Sequence, residues 1–314
     1  MSIEITTAFK KQYEASFKLV YQQMVSQLSG TVRNETQNAE VKFWDFVGAT
    51  TAVRDRARGS ATPRINTPHT RRACKLHSLT WADTTSDLDK IQAMADPTSD
   101  YLRAGVAAIR RGEDELLLEA AYADVLTGKE GTTTVTAATE CYKVNGDGTA
   151  AAPGTALSGT TETGLTIAKL ALIGARMDDK SVPTEDRYLI ANSDQKWYLL
   201  GSAKATNADY AGQMRALMRG EIPTFLGFHF IWLPSDRFTA NTTDTGCYQC
   251  VAYQRDAMLL AMAKDVTTEV DRLPDENYDV QAFAEQMAGA VRLQADGVVP
   301  ILLKKAPGMD FTQA

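Results

Sequence analysis

Two long stretches of the chain carry apolar side chains at steps of three and four, the spacing of one helix face. The first stretch, residues 3–29, predicts an amphipathic arm helix that ends at Gly30. Its apolar face consists of Phe9, Tyr13, Phe17, Val20, Met24 and Leu28. Because an apolar face needs a surface to pack on, we expect this arm to dock on its own body or on a neighbouring copy.

The second stretch predicts a long spine-like helix between Asp96 and Gly128. Asp96 suits the N-cap, Pro97 suits the first helical position, and Gly128 suits the C-terminal stop. About thirty residues, at a rise of about 1.5 Å each, give a rod of roughly 45 Å with a weak point at Gly112. The second half of this helix is acidic and contains Glu113, Asp114, Glu115, Glu119 and Asp124.

Alternating apolar and polar side chains over Val41–Val47 predict a strand. The next residues, Gly48 to Trp81, hold few large apolar side chains and carry Gly59, Pro63 and Pro68 near their middle. We interpret this stretch as a two-stranded excursion with an irregular tip. Since isolated hairpins are marginal in water, the excursion must be stabilised from elsewhere.

The remaining chain predicts a turn-rich flap and then an alternation of helices and strands. The flap, Thr132–Thr163, is rich in Thr, Ala and Gly, and Asn145–Gly148 is a hairpin-turn signal. Helices are predicted at Leu165–Arg176, Ser193–Leu200 and Asn207–Arg219, and strands at Arg187–Ala191 and Gly297–Leu303. These elements together predict an α+β protein.

Composition supports a globular protein with a real core, because 44% of the 314 residues are hydrophobic and 23% are charged. No run approaches the ~20 apolar residues of a membrane span, and the N-terminal residues lack the apolar core of a secretion signal. Four cysteines in a chain of this length predict a reducing compartment rather than a disulfide scaffold.

The net charge of −6 conceals one strongly basic segment. Between Gly48 and Leu76 the charged residues are Arg54, Arg56, Arg58, Arg64, Arg71, Arg72 and Lys75 against Asp55 alone, which leaves −12 on the rest of the chain. Nucleic-acid binding would need aromatic side chains for stacking, and none lies between Gly48 and Thr80. A solvated basic surface is one alternative. Docking on acidic residues of a neighbour, with Glu113, Glu115 and Glu119 favoured, is the interpretation that we prefer.

Candidate chemistry is sparse. Cys247 and Cys250 have a spacing that suits zinc or dithiol chemistry, but no second ligand pair at metal spacing accompanies them, so buried structural cysteines are favoured. His229 lies in the apolar run Phe228–Leu233, where a hydrogen-bonded core histidine is the usual role. Glycine-rich phosphate loops are absent from the sequence. We therefore expect no cofactor, no metal and no catalytic residue.

The order of these elements resembles the major capsid proteins of tailed bacteriophages with the Hong Kong 97-type shell fold. Three stretches carry the resemblance: Gly220–Pro234 (GEIPTFLGFHFIWLP), Val251–Met262 (VAYQRDAMLLAM) and Ala284–Leu303 (AEQMAGAVRLQADGVVPILL). The resemblance implies five regions. They are an arm (1–47), an extended loop (48–83), a peripheral domain with spine helix and flap (84–163), an axial domain (164–274) and a return to the peripheral domain (275–314).

The resemblance also implies a function and partners. The chain would self-assemble as hexamers and pentamers into an icosahedral shell of a virion, formed in the host cytoplasm around double-stranded DNA that it contacts non-specifically. A separate scaffolding protein, a portal and decoration proteins are implied partners, and no membrane is involved. Because residues 48–73 contain no lysine, a shell cross-linked through lysine–asparagine bonds is not expected.

Three other functions stay open at the level of sequence. One is a thiol or metal enzyme centred on Cys247 and Cys250. Another is a nanocompartment of the same fold with a protein cargo. The third is a nucleic-acid-binding module that uses the basic segment, which would bind DNA with a steep dependence on salt.

Overall fold

The structure is a computed structural model. It describes residues 22–54, 58–62, 64–85, 98–155, 157, 163–201, 224–240, 246–275 and 278–305. Four helices lie in these ranges: α1 Thr98–Tyr122, α2 Ala137–Glu140, α3 Ile167–Asp179 and α4 Ser193–Gly201. The early strands are β1 Arg33–Thr36, β2 Val41–Val47, β3 His69–Lys75, β4 His77–Thr85, β5 Val125–Thr127, β6 Thr133–Val135, β7 Lys143–Val144 and β8 Ala150–Ala151. The later strands are β9 Arg187–Asn192, β10 Thr224–Phe225, β11 Phe228–Leu233, β12 Cys247–Gln254, β13 Met258–Leu273, β14 Asp279–Arg292 and β15 Val298–Lys304.

A seven-stranded mixed sheet with the order β10-β11-β9-β12-β15-β7-β8 forms the centre of the larger part of the molecule. Its inner strands are nearly continuous apolar runs, as expected for strands that are covered on both faces. Strand β15, for example, has six buried residues followed by one exposed lysine. The strands predicted at Arg187–Ala191 and Gly297–Leu303 are therefore confirmed as β9 and β15, with boundaries shifted by one residue.

Helix α3 covers one face of this sheet. The Thr166 side chain caps its first turn by accepting a hydrogen bond from the backbone nitrogen of Lys169. Leu170, Ile173 and Met177 follow at spacings of three and four, and all three are fully buried in the main hydrophobic core. The sequence predicted this helix, although it begins and ends two to three residues later than expected.

Two four-stranded sheets complete the described structure, with the orders β2-β3-β5-β6 and β1-β13-β14-β4. The first confirms the strand predicted at Val41–Val47, and β2 pairs antiparallel with β3 from Val41↔Lys75 to Val47↔His69. The excursion predicted within residues 48–81 is therefore corrected: its second strand is β3, but the partner of β3 is β2, which precedes this stretch, and residues 48–68 contain neither helix nor strand in the part that the structure describes.

The chain divides into two compact units, and four elements continue from one into the other. The first unit comprises residues 1–26, 78–112 and 264–287, and the second comprises residues 27–77, 113–263 and 288–314. The first contains nearly all of β4, the first part of α1 and the outer parts of β13 and β14. The second contains the seven-stranded sheet, α3 and the sheet of β2 and β3.

The predicted spine helix is present but shorter than expected. Helix α1 ends at Tyr122 rather than at Gly128, because residues 125–127 form β5, which pairs with β3 at Arg72↔Thr127 and Ala73↔Leu126. The expected N-cap and first position, Asp96 and Pro97, lie outside the described residues. Gly128 instead has a φ of 89° in the turn between β5 and β6, a conformation that glycine adopts without strain.

The end of the predicted arm helix is also corrected. Residues 22–28 are not helical, because the carboxylate of Asp114 accepts the backbone N–H groups of Gln27 and Leu28 at 3.2 and 3.1 Å. Leu28 is fully buried and Met24 is exposed, which a continuous apolar helix face would not produce. Residues 3–21 of that prediction and the helix predicted at Asn207–Arg219 lie outside the described residues.

The flap contains the predicted turn. β7 and β8 pair antiparallel around residues 145–149, where Gly148 N–H donates to the carbonyl of Asn145 at 3.0 Å. Gly148 has a φ of 89°, which explains the glycine at this position. β7 then joins the seven-stranded sheet beside β15, so the flap is anchored to the main core.

Candidate assembly surfaces

The connection from β2 to β3, residues 48–68, is called here the arginine segment. Arg54, Arg58 and Arg64 are exposed, and none of them forms an ion pair within the part of the chain that the structure describes. Exposed apolar side chains lie directly beside two of them, since Val53 is 58% and Ile65 is 46% exposed. The segment therefore presents uncompensated positive charge together with apolar area. Arg56 lies outside the described residues.

Arg71 has an internal partner on the adjacent strand. It faces Asp45 in the β2–β3 register, and its guanidinium donates to both carboxylate oxygens at 2.5 and 2.9 Å. This two-pronged hydrogen bonding lowers the pKa of Asp45 and raises that of Arg71. The same guanidinium lies 5.4 Å from the Phe43 ring. Arg71 thus stabilises the base of the excursion in its own subunit.

Arg72 also has an internal partner, and it is buried. Its guanidinium donates to Glu140 at the end of α2 at 2.6 Å. The second oxygen of Glu140 lies 3.9 Å from the guanidinium of Arg292, whose side chain is completely buried. Arg292 in turn donates to the carbonyls of Ala121 and Ala123 at the end of α1, where a cation is favoured by the helix dipole. These contacts connect the strand that leaves the arginine segment to the end of the spine helix.

The three acidic residues predicted on the spine helix have different environments. The side chain of Glu113 is fully buried within its own subunit. Glu115 forms an ion pair with Arg237 of the same chain. Glu119 is exposed and lines a shallow groove with Asp236 and Phe238. Of the three, Glu119 presents the most accessible carboxylate.

The arm residues predicted to contact other subunits, Phe9, Tyr13 and Phe17, lie outside the described residues. The chain that follows them is anchored by polar contacts. Within the first unit, Arg111 donates to the Gln22 side chain at 2.8 Å and to the Gln23 carbonyl at 3.3 Å. Beside these contacts, Val25 is 70% exposed.

A second charged surface escaped the sequence analysis. Residues 266–279, which comprise the end of β13, the connection to β14 and the first residue of β14, are called here the acidic hairpin tip. In sequence it holds Glu269, Asp271, Asp275, Glu276 and Asp279 against Arg272. Val270 and Tyr278 are 50% and 62% exposed beside these carboxylates. The sequence shows the excess of acidic residues in this segment. The long strands β13 and β14 that carry the segment could not be recognised from the sequence.

The cysteines and His229 are packed structural residues. All four cysteines are buried, and none is in a disulfide. Burial raises the pKa of the Cys250 thiol to about 12, so it is a poor nucleophile near neutral pH. The ring of His229 packs on that of Tyr188 at 5.2 Å. The described residues include no group of three or more His, Cys, Asp or Glu side chains that could hold a metal ion.

Comparison with known proteins identifies the family of this chain. The chain matches the family model described as phage capsid protein over residues 5–305. The chain belongs to this phage capsid protein family. No curated protein sequence matches it. Within the described part of the capsid protein, no helix is both long and apolar enough to cross a membrane.

Solved capsid structures share the fold at low sequence identity. The capsid of cyanophage P-SCSP1u matches with a TM-score of 0.70 and 15% identity, covering 97% of this chain and 96% of that chain. Mycobacterium phage Che8 matches with a TM-score of 0.67 and 18% identity over 93% and 97%. The capsid structure of Helicobacter pylori bacteriophage KHP30 matches with a TM-score of 0.71 and 7% identity over 97% and 98%.

These matches confirm the predicted Hong Kong 97-like α+β fold and the structural role. The chain is a major capsid protein, located in the virion shell, where it acts as one of many copies. Neither the family nor the buried Cys247–Cys250 pair supports the thiol or metal enzyme. A protein nanocompartment receives no support either.

Proposed function

We propose that the capsid protein assembles in the host cytoplasm as hexamers and pentamers that close into an icosahedral shell around double-stranded DNA. The observation that carries the proposal is that the match extends over nearly the whole of both chains. The match to the capsid of cyanophage P-SCSP1u covers 97% of this chain and 96% of that chain. Symmetric interfaces recur for every copy, so weak contacts between subunits become collectively strong. A separate scaffolding protein would direct the curvature, and a portal and decoration proteins would complete the particle.

Packaged DNA would be contacted without sequence preference. The charge outside residues 48–76 sums to −12, which disfavours tight binding of a polyanion to the shell lining. A lining that binds DNA weakly allows the genome to enter and to leave.

Expression of the chain, alone and together with a candidate scaffold, tests the proposal by negative-stain microscopy. Closed particles of uniform diameter are the expected product. A chain that stays monomeric under both conditions, or that forms only irregular aggregates, would contradict the proposal. Nuclease-protected double-stranded DNA in particles recovered from infected cells would identify the cargo, whereas a protein cargo would favour a nanocompartment.

The arginine segment and the arm are proposed as contacts between subunits. Exposed ion pairs contribute only about 0–1 kcal/mol each, so the arginines act through repetition around the lattice. On the acceptor side the sequence favoured Glu113, Glu115 and Glu119, and Glu119 is the most accessible of these. Because Arg71 and Arg72 have partners in their own subunit, Arg54, Arg58 and Arg64 are the better candidates for contacts with neighbours.

Single exchanges of Arg54, Arg58 or Arg64 to Glu test this contact. Each is expected to lower both the particle yield and the salt concentration at which particles dissociate. Arg103→Glu is the matched control, because Arg103 is 69% exposed but lies on α1. Unchanged yield and salt resistance in all three variants would refute the arginine contact.

For the arm, Phe9→Ala, Tyr13→Ala and Phe17→Ala remove the apolar face that we propose to pack on an adjacent subunit. We expect lower particle yield with an unchanged melting temperature of the unassembled subunit. If the subunit melts earlier and particles still form, the arm packs on its own body.

A further inference from the structure

We propose that Asp114 and Arg111 of helix α1 clamp the root of the N-terminal arm and thereby position the arm for its contact with an adjacent subunit. The arm root is defined here as residues 22–28, and both clamp residues lie in the described part of α1. This inference rests on the proposed contact of the arm, and it identifies the residues of the subunit body that prepare that contact. Both are positioning residues, because neither is proposed to touch the neighbour.

The carboxylate of Asp114 binds the C-terminal end of the arm root. Its two oxygens accept the backbone N–H groups of Gln27 and Leu28 at 3.2 and 3.1 Å. Asp114 is 1% exposed, so water competes little for these hydrogen bonds. Hydrogen bonds to a charged acceptor are stronger than those between neutral groups, so this carboxylate fixes the backbone of both residues.

Arg111 binds the N-terminal end of the arm root. Its guanidinium donates to the side-chain oxygen of Gln22 at 2.8 Å and to the carbonyl of Gln23 at 3.3 Å. Arg111 and Asp114 are three positions apart on α1, a spacing that places side chains on neighbouring parts of one helix face. The arm root is therefore held at both of its ends by charged side chains of the same helix.

Apolar packing does not hold the middle of the arm root. Met24 is 43% exposed and Val25 is 70% exposed. Burial begins at Leu28, which is fully buried and belongs to the main hydrophobic core. Thr31 then donates to the carbonyl of Leu28 at 2.7 Å, and its hydroxyl lies 2.6 Å from that of Tyr253. The chain is thus fixed from Leu28 onward, and the polar contacts from α1 extend this fixation back along the arm root.

A fixed root lowers the entropic cost of docking the arm. If the clamp opens, the seven residues 22–28 become part of a flexible connection, and a flexible chain of that length spans roughly 15 Å. The arm would then search a larger volume, and its effective concentration at the neighbouring surface would fall. The clamp therefore increases affinity by preorganisation, without an added contact to the neighbour. Every copy carries the same clamp, so the effect recurs throughout the shell.

Asp114→Asn and Arg111→Gln open the clamp in different ways. The first replaces one accepting oxygen by a donor that opposes a backbone N–H group, and the second removes the guanidinium. The matched controls, Asp124→Asn and Arg103→Gln, change exposed residues of the same types. Hydrogen–deuterium exchange of the unassembled full-length subunit measures the opening. We expect faster exchange within residues 22–28 in both clamp variants, by about tenfold or more in Asp114→Asn, and no change in the controls.

The subunit concentration at which half of the chains assemble measures the consequence for the shell. We expect each clamp variant to raise this concentration about tenfold. The triple variant F9A/Y13A/F17A, which removes the apolar face of the arm, separates positioning from a purely structural role. In that background the clamp variants should raise the concentration no further, because no arm contact is left to position. If the triple variant forms no particles, Tyr13→Ala replaces it.

Three results would overturn the inference and leave the shell function standing. They are unchanged exchange within the arm root, unchanged assembly of the clamp variants, and an equal fold-increase of the assembly concentration with and without the apolar face of the arm. Circular dichroism reports whether each variant folds, and Arg111→Gln decides the outcome if Asp114→Asn does not fold. A wild-type chain that forms no particles would overturn both the inference and the shell function.

Discussion

Gly289 illustrates how a single residue sets the distance between two elements. A Cβ atom at this position of β14 would lie 2.4 Å from the carbonyl oxygen of Lys75 and 2.9 Å from the Cys74 sulfur. Neither neighbour is a flexible side-chain end, so β14 would have to move away from the end of β3. The glycine is therefore required by close backbone approach.

We expect Gly289→Ala to lower the free energy of unfolding by about 3 kcal/mol through this overlap. Urea unfolding of the unassembled subunit measures the change. Gly30→Ala is the matched control, because a Cβ atom there meets nothing within 4 Å. Equal stability of the two variants would contradict the proposed clash.

Lys169 is a buried lysine that connects three parts of the larger unit. Its ammonium group donates to the carbonyls of Gly146, Thr163 and Leu302 at 3.0, 3.0 and 3.2 Å. Burial lowers its pKa to about 8, although the neighbouring Cys247 acts in the opposite direction. Between pH 8 and the ordinary value of 10.5, the unfolded chain binds the proton and the folded chain releases it. The energetic penalty of the buried charge is therefore present below pH 8 and disappears as the pH rises through this window.

We predict that the stability of the wild-type subunit relative to Lys169→Met increases by about 2–3 kcal/mol between pH 8 and pH 10.5. Denaturant unfolding of both proteins at several pH values measures this difference. The buried thiols of Cys74 and Cys141, with raised pKa values, titrate in both proteins and cancel in the comparison. A difference that is constant with pH would show that folding does not lower the pKa of Lys169.

At the scale of elements, the ion-pair cluster at the end of α2 holds β3 in place. Glu140 accepts from Arg72 and lies near Arg292, so its removal leaves two buried guanidinium groups without a carboxylate. We expect Glu140→Gln to lower the free energy of unfolding by about 2–3 kcal/mol. Glu115→Gln, which breaks a pair that is half exposed, is expected to cost at most about 1 kcal/mol.

Urea unfolding distinguishes the two variants. Equal effects would mean that the cluster around Glu140 is as well solvated as a surface pair. Proteolysis within the arginine segment provides a second measurement, since loss of the anchor should accelerate cleavage there in Glu140→Gln alone.

Element prediction from the sequence succeeded where local pattern and packing agree. The strand Val41–Val47 and the helix α3 follow from apolar periodicity, and the strand β15 follows from a continuous apolar run. The prediction failed where a segment binds residues that are distant in sequence. Residues 125–127 pair with β3 and do not continue the spine helix. The carboxylate of Asp114 accepts the backbone N–H groups of Gln27 and Leu28, where the arm helix was expected. Hydrogen bonds between residues more than 50 positions apart leave no periodic signal in either segment.

At the scale of the whole molecule, the resemblance to phage capsid proteins could be recognised from the order of elements. The residues that contact other subunits could not be recognised, because ion pairs within the subunit determine which charged side chains remain available for a neighbour. Arg71, Arg72, Glu113 and Glu115 looked equivalent to Arg64 and Glu119 in the sequence, yet burial and internal ion pairs separate them. The projection of the hairpin tip depends on the pairing of β13 with β14, which charge counting cannot reveal.

The whole subunit is expected to resist thiol reagents. The side chains of Cys74, Cys141, Cys247 and Cys250 are at most 1% exposed, and burial raises the pKa of three of these thiols to about 11 or 12. At pH 8 we predict negligible labelling of the native subunit and labelling of all four cysteines after denaturation, measured by mass spectrometry. Rapid native labelling of Cys247 or Cys250 would instead support thiol chemistry at that pair.

The position of β15 has a consequence for biosynthesis. This strand lies between β12 and β7, so the central sheet cannot close until the ribosome has passed residue 304. Strand β14, which enters both compact units, is also translated late. Nascent chains therefore lack finished docking surfaces. Chains in which β15 has not yet been synthesised would therefore not join a growing shell.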